Sequence, residues 1–357
     1  MTAGPGTSRR RELVFGLAFM AIAIAVTLAL GEIAIRVIAS RRLIYNIEMV
    51  KYATTLKMRD PNDEVSHVHR PSAHARLMGV DIALNSLGHR GPELATPREP
   101  SRKRVLVLGS SVTLGWGVPF DSTFTTRTEA MLNTARPFGP GVSFEFANAG
   151  IGNYNTAFQS RLFERQYPVV RPDLVVLHYF VSDVQPRTMG RNNVILKHSF
   201  LAAFLFDRWS RLTLSFGGHY TDLFTFYTDL YADGSPAWIQ TQQQIRAMRD
   251  RAAKDGVRFI VMIIPDIHDL SPGTPYRALY DRIDAAFRGM GITTINTFDA
   301  VQRQFGGDVT TLWIQGDDPH PNARGHALMA DILYRYLVDD DPLGLRAAGG
   351  RTPPRSS

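Results

Sequence analysis

Residues 104–117 read RVLVLGSSVTLGWG, and this stretch decides the predicted fold. Its first part, Arg104–Gly109, is a short apolar run, rich in β-branched residues, that ends in glycine. Such runs are typical of strands buried on both faces of a parallel sheet. Similar runs follow at Phe144–Ala147, Leu174–Tyr179, Val257–Ile264 and, most weakly, Ile292–Ile295.

Stretches with helical periodicity separate these apolar runs. They are Phe124–Asn133, Thr156–Gln166, Pro236–Asp255 and Pro275–Met290, with a last helix at Ala323–Leu337. Strands that alternate with helices indicate a parallel sheet covered on both faces. We therefore predict an α/β domain with a five-stranded parallel sheet over residues 101–340.

The N-terminal region predicts one transmembrane helix. Residues 13–31 contain no charged side chain, and a helix of that length is about 28 Å long, close to the thickness of a bilayer's hydrocarbon core. Three arginines at positions 9–11 favour a cytoplasmic N-terminus. We predict a cytoplasmic segment at 1–12, an anchor at 13–35, and an extracytoplasmic remainder, which would be periplasmic in a bacterium with two membranes. A signal peptide cleaved near residues 29–31 is the alternative.

The other segments and the composition limit the possible classes of function. Residues 36–100, with a turn at 85–88, are predicted to form a stalk and a leading segment, and 341–357 a disordered tail. The absence of cysteine excludes disulfides, thiolate metal sites and a cysteine nucleophile. The net charge is +7, but no Lys/Arg-rich run has interleaved aromatic residues. We therefore predict no nucleic-acid partner.

A candidate nucleophile follows the first predicted strand. In open α/β sheets, functional residues collect at the carboxyl ends of strands. Ser111 lies there and begins the next helix, whose N-terminal amides point toward any anion that forms beside it. A serine in this position can act as a nucleophile if a base lies within hydrogen-bond reach. The segment has neither the Gly-Lys-Ser/Thr ending of a P-loop nor GxGxxG spacing.

A candidate base lies just before the last helix, where residues 316–322 read GDDPHPN. His320 can take a serine proton, and Asp317, three residues earlier, can orient the imidazole and stabilise its charged form. The flanking prolines indicate a stiff loop. The alternative is that His320 only caps or packs against the last helix.

Four blocks of the sequence resemble those of the SGNH (GDSL-like) hydrolases. GSSVTLGWGV at 109–118 is similar to the first block, Phe146–Thr156 to the second, Pro172–Asp183 to the third, and Asp317-x-x-His320 to the last. The resemblance covers about residues 80–340. It implies a flavodoxin-like, three-layer α/β/α fold and ester or acyl chemistry through a serine acyl-enzyme, without a cofactor.

The resemblance also implies an oxyanion hole, at which this sequence departs from the family. The implied donors are Ser111, the Gly152-Asn153 pair where the family has a glycine, and Ser182 where it has an asparagine. In addition, Ser110 replaces the aspartate that precedes the nucleophile. Loss of one oxyanion donor typically costs about 10²–10³ in rate. Because Asn153 keeps its backbone amide and Ser182 can donate through its hydroxyl, we predict a working but altered site.

Two classes of function remain open. The first is an extracytoplasmic esterase or deacetylase acting on an ester-bearing or acylated substrate such as a glycan or a lipid. A close variant is an O-acyltransferase of cell-envelope polysaccharide that uses the same triad. The second is a catalytically silent, membrane-anchored binding domain. No cluster of His, Asp and Glu has metal-ligand spacing, so we predict no metal.

Several other polar and aromatic residues are candidates for either the site or the core. His268, near Asp266, is predicted to lie in a solvated loop or to line the pocket. His178 and His326 are predicted to pack in the structure, and Asp183 to fix loops. The tryptophans at 116 and 313 are candidates for a pocket wall, with packing in the core as the alternative. The aromatic-rich stretch 185–235 is predicted to form loops that shape the pocket, and its aromatic residues either accommodate a substrate or pack a subdomain.

Overall fold

The structure is a computed structural model that describes residues 5–187, 194–216, 223–305, 308–315 and 318–346. The strands are β1 (Lys57–Met58), β2 (Val68–His69), β3 (His74–Leu77), β4 (Val80–Ala83), β5 (Arg102–Gly109), β6 (Ser143–Gly150), β7 (Leu174–Phe180), β8 (Arg258–Ile264), β9 (Thr293–Asn296), β10 (Trp313–Gln315) and β11 (Asp318–Pro321). The helices are α1 (Pro5–Arg41), α2 (Tyr45–Thr55), α3 (Ser111–Leu114), α4 (Phe124–Ala135), α5 (Thr156–Val170), α6 (Val194–His198), α7 (Phe200–Phe216), α8 (Leu223–Leu230), α9 (Pro236–Lys254), α10 (Tyr276–Gly289), α11 (Phe298–Phe305) and α12 (Ala323–Asp339).

The chain divides into two compact units. Residues 1–54 and 191–219 form the anchor unit, and residues 55–190 and 220–357 form the sheet unit. The sheet unit thus begins earlier than the predicted domain 101–340 and is interrupted by an insert at 191–219. Most of the predicted tail, from residue 347 onward, lies outside the described residues.

The anchor unit is built on α1, which is long and apolar enough to cross a membrane. The helix extends beyond the predicted anchor at both ends. On the C-terminal side it continues to Arg41, supported by the ion pair between Arg36 and Glu32 one turn earlier. Its apolar side chains are exposed along their length, for example Leu13 and Phe19. This exposure is unfavourable in water and favourable in lipid.

The same unit contains α7. The carboxylate of Glu32 accepts hydrogen bonds from the Ser199 hydroxyl (2.8 Å) and from the backbone amides of Phe200 (3.0 Å) and Leu201 (2.9 Å), so it caps the N-terminus of this helix. The predicted pocket loops at 185–235 are therefore corrected in part. Residues 200–216 form a helix of the anchor unit, because a side chain of α1 satisfies its first amides.

The sheet unit is built on a parallel sheet with the order β6-β5-β7-β8-β9. Numbered by their order along the chain, these five strands run 2-1-3-4-5, which is the flavodoxin-like order. The five predicted strands and the helices between them are confirmed. The order reverses between β5 and β7, and ligand sites in such sheets lie at this switch point, outside the carboxyl ends of the strands.

Side chains of β5 alternate between two hydrophobic cores. Leu106 and Leu108 pack with residues of α5, α9 and α10, whereas Val105 and Val107 pack with residues of α4 and α12. Because successive side chains of a strand point to opposite faces, the helices cover the sheet on both sides. The predicted three-layer α/β/α architecture is confirmed.

Residues 55–100 are part of the sheet unit rather than a stalk. They form two short antiparallel pairs, β1–β2 and β3–β4, and the predicted turn closes with the Gly88 amide donating to the Asn85 carbonyl (2.9 Å). The segment then reaches β6, where the Arg90 amide donates to the Asn148 carbonyl (3.0 Å). Weak periodicity in the sequence concealed these short pairs, which long-range contacts hold in place.

The short helix α3 lies against the carboxyl ends of β5 and β6. A Cβ atom at Gly150 would lie 2.3 Å from the backbone nitrogen of Leu114, and one at Gly109 would lie 2.0 Å from Thr113 Oγ1. Such distances are far below van der Waals contact, so only glycine allows α3 to approach both strands.

Substitution of Gly150 by alanine tests this close approach. We expect Gly150→Ala to lower the free energy of unfolding by at least ~2 kcal/mol, because the backbone of α3 would have to move. Gly141→Ala is the matched control, since nothing lies within 4 Å of a Cβ there, and it should change stability by less than ~0.5 kcal/mol. Urea unfolding of the detergent-solubilised full chain measures both. Equal stabilities would contradict the packing.

Candidate active site

Ser111 is the first residue of α3, directly after β5 at the switch point of the sheet. Its hydroxyl hydrogen-bonds to Nε2 of His320 at 2.8 Å, and both side chains are partly accessible to solvent. The structure thus brings together two predicted residues that are 209 positions apart in sequence.

His320 lies on a short strand, where a loop was predicted. Strand β11 pairs antiparallel with β10. Asn322, directly after the strand, caps α12 through its Oδ1, which accepts from the Arg324 amide at 2.9 Å. Its Nδ2 donates to the carbonyls of Thr311 (2.8 Å) and Trp313 (3.0 Å). The segment that carries His320 is therefore held on one side by pairing with β10 and on the other side by the cap of α12.

The carboxylate that contacts this imidazole belongs to Asp318. Its Oδ1 lies 2.6 Å from Nδ1 of His320 and also accepts from the His320 amide at 3.1 Å. Residues two apart on a strand project to the same side, which explains the pairing. Asp317, the predicted partner, lies outside the described residues. The contact with the imidazole is made by the next residue along the chain, Asp318.

A tryptophan completes the surroundings of the carboxylate. Trp116 Nε1 donates to the second oxygen of Asp318 at 3.1 Å, and both side chains are buried. Of the two alternatives for Trp116, the structure has the core residue rather than the pocket wall, because the ring is buried and its N–H donates to Asp318. Trp116 belongs to the same sequence block as Ser111. This block therefore supplies both the Ser111 hydroxyl and a hydrogen-bond donor to Asp318.

The protonation of the pair follows from these contacts. Burial alone would raise the pKa of Asp318, but the hydrogen bonds from His320 and Trp116 hold the pKa of this carboxyl below its usual value. An ionised carboxylate only accepts hydrogen bonds. Nδ1 of His320 therefore carries the proton, and Nε2 is left to accept the hydrogen of the Ser111 hydroxyl.

The predicted oxyanion positions follow the two strands that flank β5. Gly152 and Asn153 follow β6, and Ser182 lies in a 3-10 turn, Val181–Val184, directly after β7. Gly152 is buried, whereas Asn153 is exposed and adopts a left-handed backbone with a φ of 68°. Loops thus place all three residues at the carboxyl ends of the strands, where Ser111 also lies.

Two residues that were not predicted hold the peptide between Gly152 and Asn153. The Gly152 carbonyl accepts from Lys57 Nζ at 2.8 Å and lies 3.0 Å from His67 Nε2. Burial lowers the pKa of Lys57 to about 7 and that of His67 to about 3. In a trans peptide the carbonyl and the following N–H point in opposite directions. The two side chains therefore fix the direction of the Asn153 amide.

A buried arginine holds the segment after Ser111. The guanidinium of Arg90 donates to the carbonyls of Leu114 (2.8 Å), Gly115 (2.6 Å) and Val118 (2.7 Å), and the residue is only 2% exposed. These bonds satisfy carbonyls at the C-terminal end of α3. Nothing in the sequence near Arg90 indicated this role, because its partners lie more than twenty residues away.

The remaining candidate residues have structural contacts. His178 and His326 are buried and hydrogen-bonded, to the Thr113 hydroxyl (2.8 Å) and to the Phe124 amide (3.1 Å) respectively. Asp183 accepts from Gln159 Nε2 of α5 at 3.0 Å and so ties the turn after β7 to this helix, while burial raises its pKa to about 7.

A second His–Asp pair lies after β8. The imidazole of His268 contacts the buried carboxylate of Asp266 and packs edge-on against Trp313, with ring centroids 5.8 Å apart. The hydrogen bond to Asp266 raises the pKa of His268. Within the described part of the chain, no three His, Asp or Glu side chains are grouped as a metal site would require.

Comparisons with known proteins give distant similarities. No family model matches the sequence, and no curated protein is significantly similar to it. Among solved structures, TesA is 17% identical, and the match covers 68% of this chain and 99% of TesA with a TM-score of 0.42. At such identities, these matches describe what the chain resembles and assign no activity to it.

Two further solved structures are similarly distant. One is CEX, a two-domain esterase active on acetylated mannans, which is 15% identical over 72% of this chain and 53% of its own, with a TM-score of 0.43. The other is a mutant of Axe2, an acetyl-xylooligosaccharide esterase from Geobacillus, which is 15% identical over 69% and 97%, with a TM-score of 0.41.

Two adjacent aspartates can be distinguished by the reactivity of Ser111 toward a fluorophosphonate probe. We expect Asp318→Asn to slow labelling by on the order of 10⁴, because an amide cannot stabilise the imidazolium or enforce its tautomer. Asp317→Asn is the matched control and should label at nearly the parent rate. The reverse pattern would return the role to Asp317. Labelling is followed by gel fluorescence with the full chain in detergent.

Proposed function

We propose that this protein is a serine esterase in which Ser111 is the nucleophile, His320 the base and Asp318 the orienting acid. The observation that carries the proposal is the continuous chain of contacts from Ser111 Oγ to His320 Nε2 (2.8 Å) and from His320 Nδ1 to Asp318 Oδ1 (2.6 Å). A serine hydroxyl is a weak nucleophile until a base accepts its proton in place. A buried, ionised carboxylate supports that base.

Acylation follows from this geometry. The oxygen of Ser111 attacks the ester carbonyl carbon while its proton passes to Nε2 of His320. The imidazolium that forms is stabilised by Asp318. The tetrahedral intermediate then collapses, the bond to the alcohol oxygen breaks, and His320 returns the proton to the departing alcohol. Ser111 is left as an acyl ester.

The negative oxygen of the intermediate needs donors at the same sheet edge. We assign the backbone amides of Ser111 and Asn153 and the hydroxyl of Ser182. Gly152 contributes through its carbonyl, which Lys57 and His67 hold away from the substrate so that the next N–H faces it. Preorganised donors of this kind are worth about 10²–10³ in rate each. The altered residues at 153 and 182 keep donors in place.

Deacylation repeats the sequence with water. Nε2 of His320 accepts a proton from a water molecule, whose oxygen attacks the acyl carbon of the Ser111 ester. Collapse of the second intermediate breaks the bond to Ser111, which regains its proton from His320. The products are a carboxylic acid and the free enzyme, so no cofactor is consumed.

The protein is further proposed to be a single-pass membrane protein whose sheet unit lies outside the cytoplasm. The support is the exposed apolar surface of α1 and the three arginines at positions 9–11 that precede it. Positively charged segments remain preferentially on the cytoplasmic side.

Hydrolysis of p-nitrophenyl acetate by the full chain in detergent tests the esterase proposal. We expect Ser111→Ala to reduce kcat by at least ~10³, because the nucleophile is lost. Ser110→Ala is the matched control. Its side chain is buried and forms no capping hydrogen bond, so activity should remain within a few-fold of the parent. Parent protein that neither turns over nor labels with a fluorophosphonate would instead support a silent binding domain.

The contact between Lys57 and Gly152 predicts a separate kinetic effect. We expect Lys57→Met to lower kcat by about 10-fold to 100-fold, below the full loss of an oxyanion donor, and to leave KM nearly unchanged. Lys254→Met, at the exposed end of α9, is the control. A rise in KM with an unchanged kcat would contradict a role in the transition state.

The lowered pKa of Lys57 gives this variant a second readout. Because the pKa falls from 10.5 to about 7 in the folded protein, the unfolded chain binds a proton between these pH values that the folded chain does not. Stability should therefore rise with pH across this window more steeply in the parent than in Lys57→Met. Parallel pH profiles of urea unfolding would show that Lys57 is not buried as a neutral amine.

A further inference from the structure

Helix α7 exposes large apolar side chains on one side. Leu205, Phe206 and Trp209 are 52%, 57% and 68% exposed, and at 100° per residue they fall within an arc of about 100°. Arg208 lies outside this arc, about 160° around the helix from Phe206, and its guanidinium covers the ring of Phe204 at 5.1 Å. A contiguous patch of this kind on a helix marks an interaction surface.

The contacts between α7 and α1 within the anchor unit fix the position along α1 at which α7 begins. Its first amides are capped by Glu32, which is the first charged residue after the uncharged stretch 13–31 of α1. Leu201 packs over Gly31, where a Cβ would lie 3.0 Å from Leu201 Cδ2. Arg36, one turn after Glu32, donates to the His198 carbonyl at 3.1 Å and lies over the Phe200 ring. The first turn of α7 is therefore held at the end of the apolar part of α1.

We propose that α7 is an interfacial helix that lays Leu205, Phe206 and Trp209 on the phospholipid bilayer, at the boundary between acyl chains and headgroups. The proposal rests on α1 crossing the membrane. When α1 is inserted, the end of its apolar stretch is at this boundary, so the first turn of α7, which Glu32 holds there, starts at the level of the lipid headgroups. Tryptophan and phenylalanine are favoured at that depth, and an arginine on the other side of the helix suits the phosphate and water layer.

The absence of cysteine makes the test direct, because each single-cysteine variant carries one label. The full chain is placed in nanodiscs of phosphatidylcholine and phosphatidylglycerol, with a nitroxide at Phe206→Cys or, as the matched control, at Arg208→Cys on the same helix. Collision with oxygen, which concentrates in lipid, is compared with collision with a water-soluble nickel chelate. We expect the ratio of oxygen to nickel accessibility to be several-fold higher at position 206 than at 208.

Three results would overturn the proposal. Equal ratios at the two positions would place both sides of α7 in water. Low accessibility of position 206 to both reagents would show that a second copy of the chain or another protein segment covers the face. Failure of the parent chain to remain in the nanodisc would remove the membrane on which the proposal rests. The rate at which Ser111 hydrolyses p-nitrophenyl acetate should be the same in both labelled variants, which shows that they are folded.

A measurement without cysteine substitution tests the same contact. Brominated acyl chains quench tryptophan fluorescence at short range, and the chain has four tryptophans. We expect quenching in brominated nanodiscs that is lost in Trp209→Phe. Quenching that persists in Trp209→Phe, or no quenching in the parent, contradicts contact between residue 209 and lipid.

Discussion

The close approach of α3 to the carboxyl ends of β5 and β6 sets the position of Ser111. The approach is possible because Gly109 and Gly150 carry no Cβ. A Cβ at position 150 would meet the backbone of α3, and one at position 109 would meet the side chain of Thr113. Once α3 is seated, Asn148 Nδ2 donates to the Thr113 carbonyl at 2.7 Å, and Arg90 binds the carbonyls that follow. The proposed nucleophile is thus located by the absence of two side chains and retained by hydrogen bonds to main-chain carbonyls.

The second constraint is the buried charge of Asp318. An isolated carboxylate in the interior is strongly unfavourable, and it persists only where donors compensate for lost water. Here the two donors come from segments far apart in the sequence. Trp116 lies in the block that carries Ser111, and His320 lies in the hairpin before α12. The acid therefore couples the two blocks energetically, because removal of either donor leaves part of the charge uncompensated.

Elements with strong periodicity could be predicted from the sequence, whereas long-range contacts could not. The strands and helices of the sheet unit are long apolar or amphipathic segments, and Ser111 and His320 lie in local patterns with a chemical meaning. The choice between Asp317 and Asp318 depends on a hairpin whose two strands have three and four residues. Strands this short show no hydrophobic periodicity in the sequence. Lys57, His67 and Arg90 act on main-chain carbonyls that any residue could supply, so sequence reasoning had no signal for them. The sequence left open whether the aromatic residues of 200–209 line a pocket or pack a subdomain, because the contact that places their helix, from the Phe200 amide to Glu32, spans more than 160 positions.

With α1 as the proposed membrane anchor, the insert at 191–219 changes how the sheet unit could be released from the membrane. The chain passes between the two units three times, near residues 54–55, 190–191 and 219–220. A protease that cuts a simple anchored enzyme once, in its stalk, sets the catalytic part free. In this protein the same cut leaves the sheet unit covalently joined to α7, which remains hydrogen-bonded to Glu32 of α1. Release requires at least one further pair of cuts around the insert, so the chain connectivity itself opposes conversion to a secreted form.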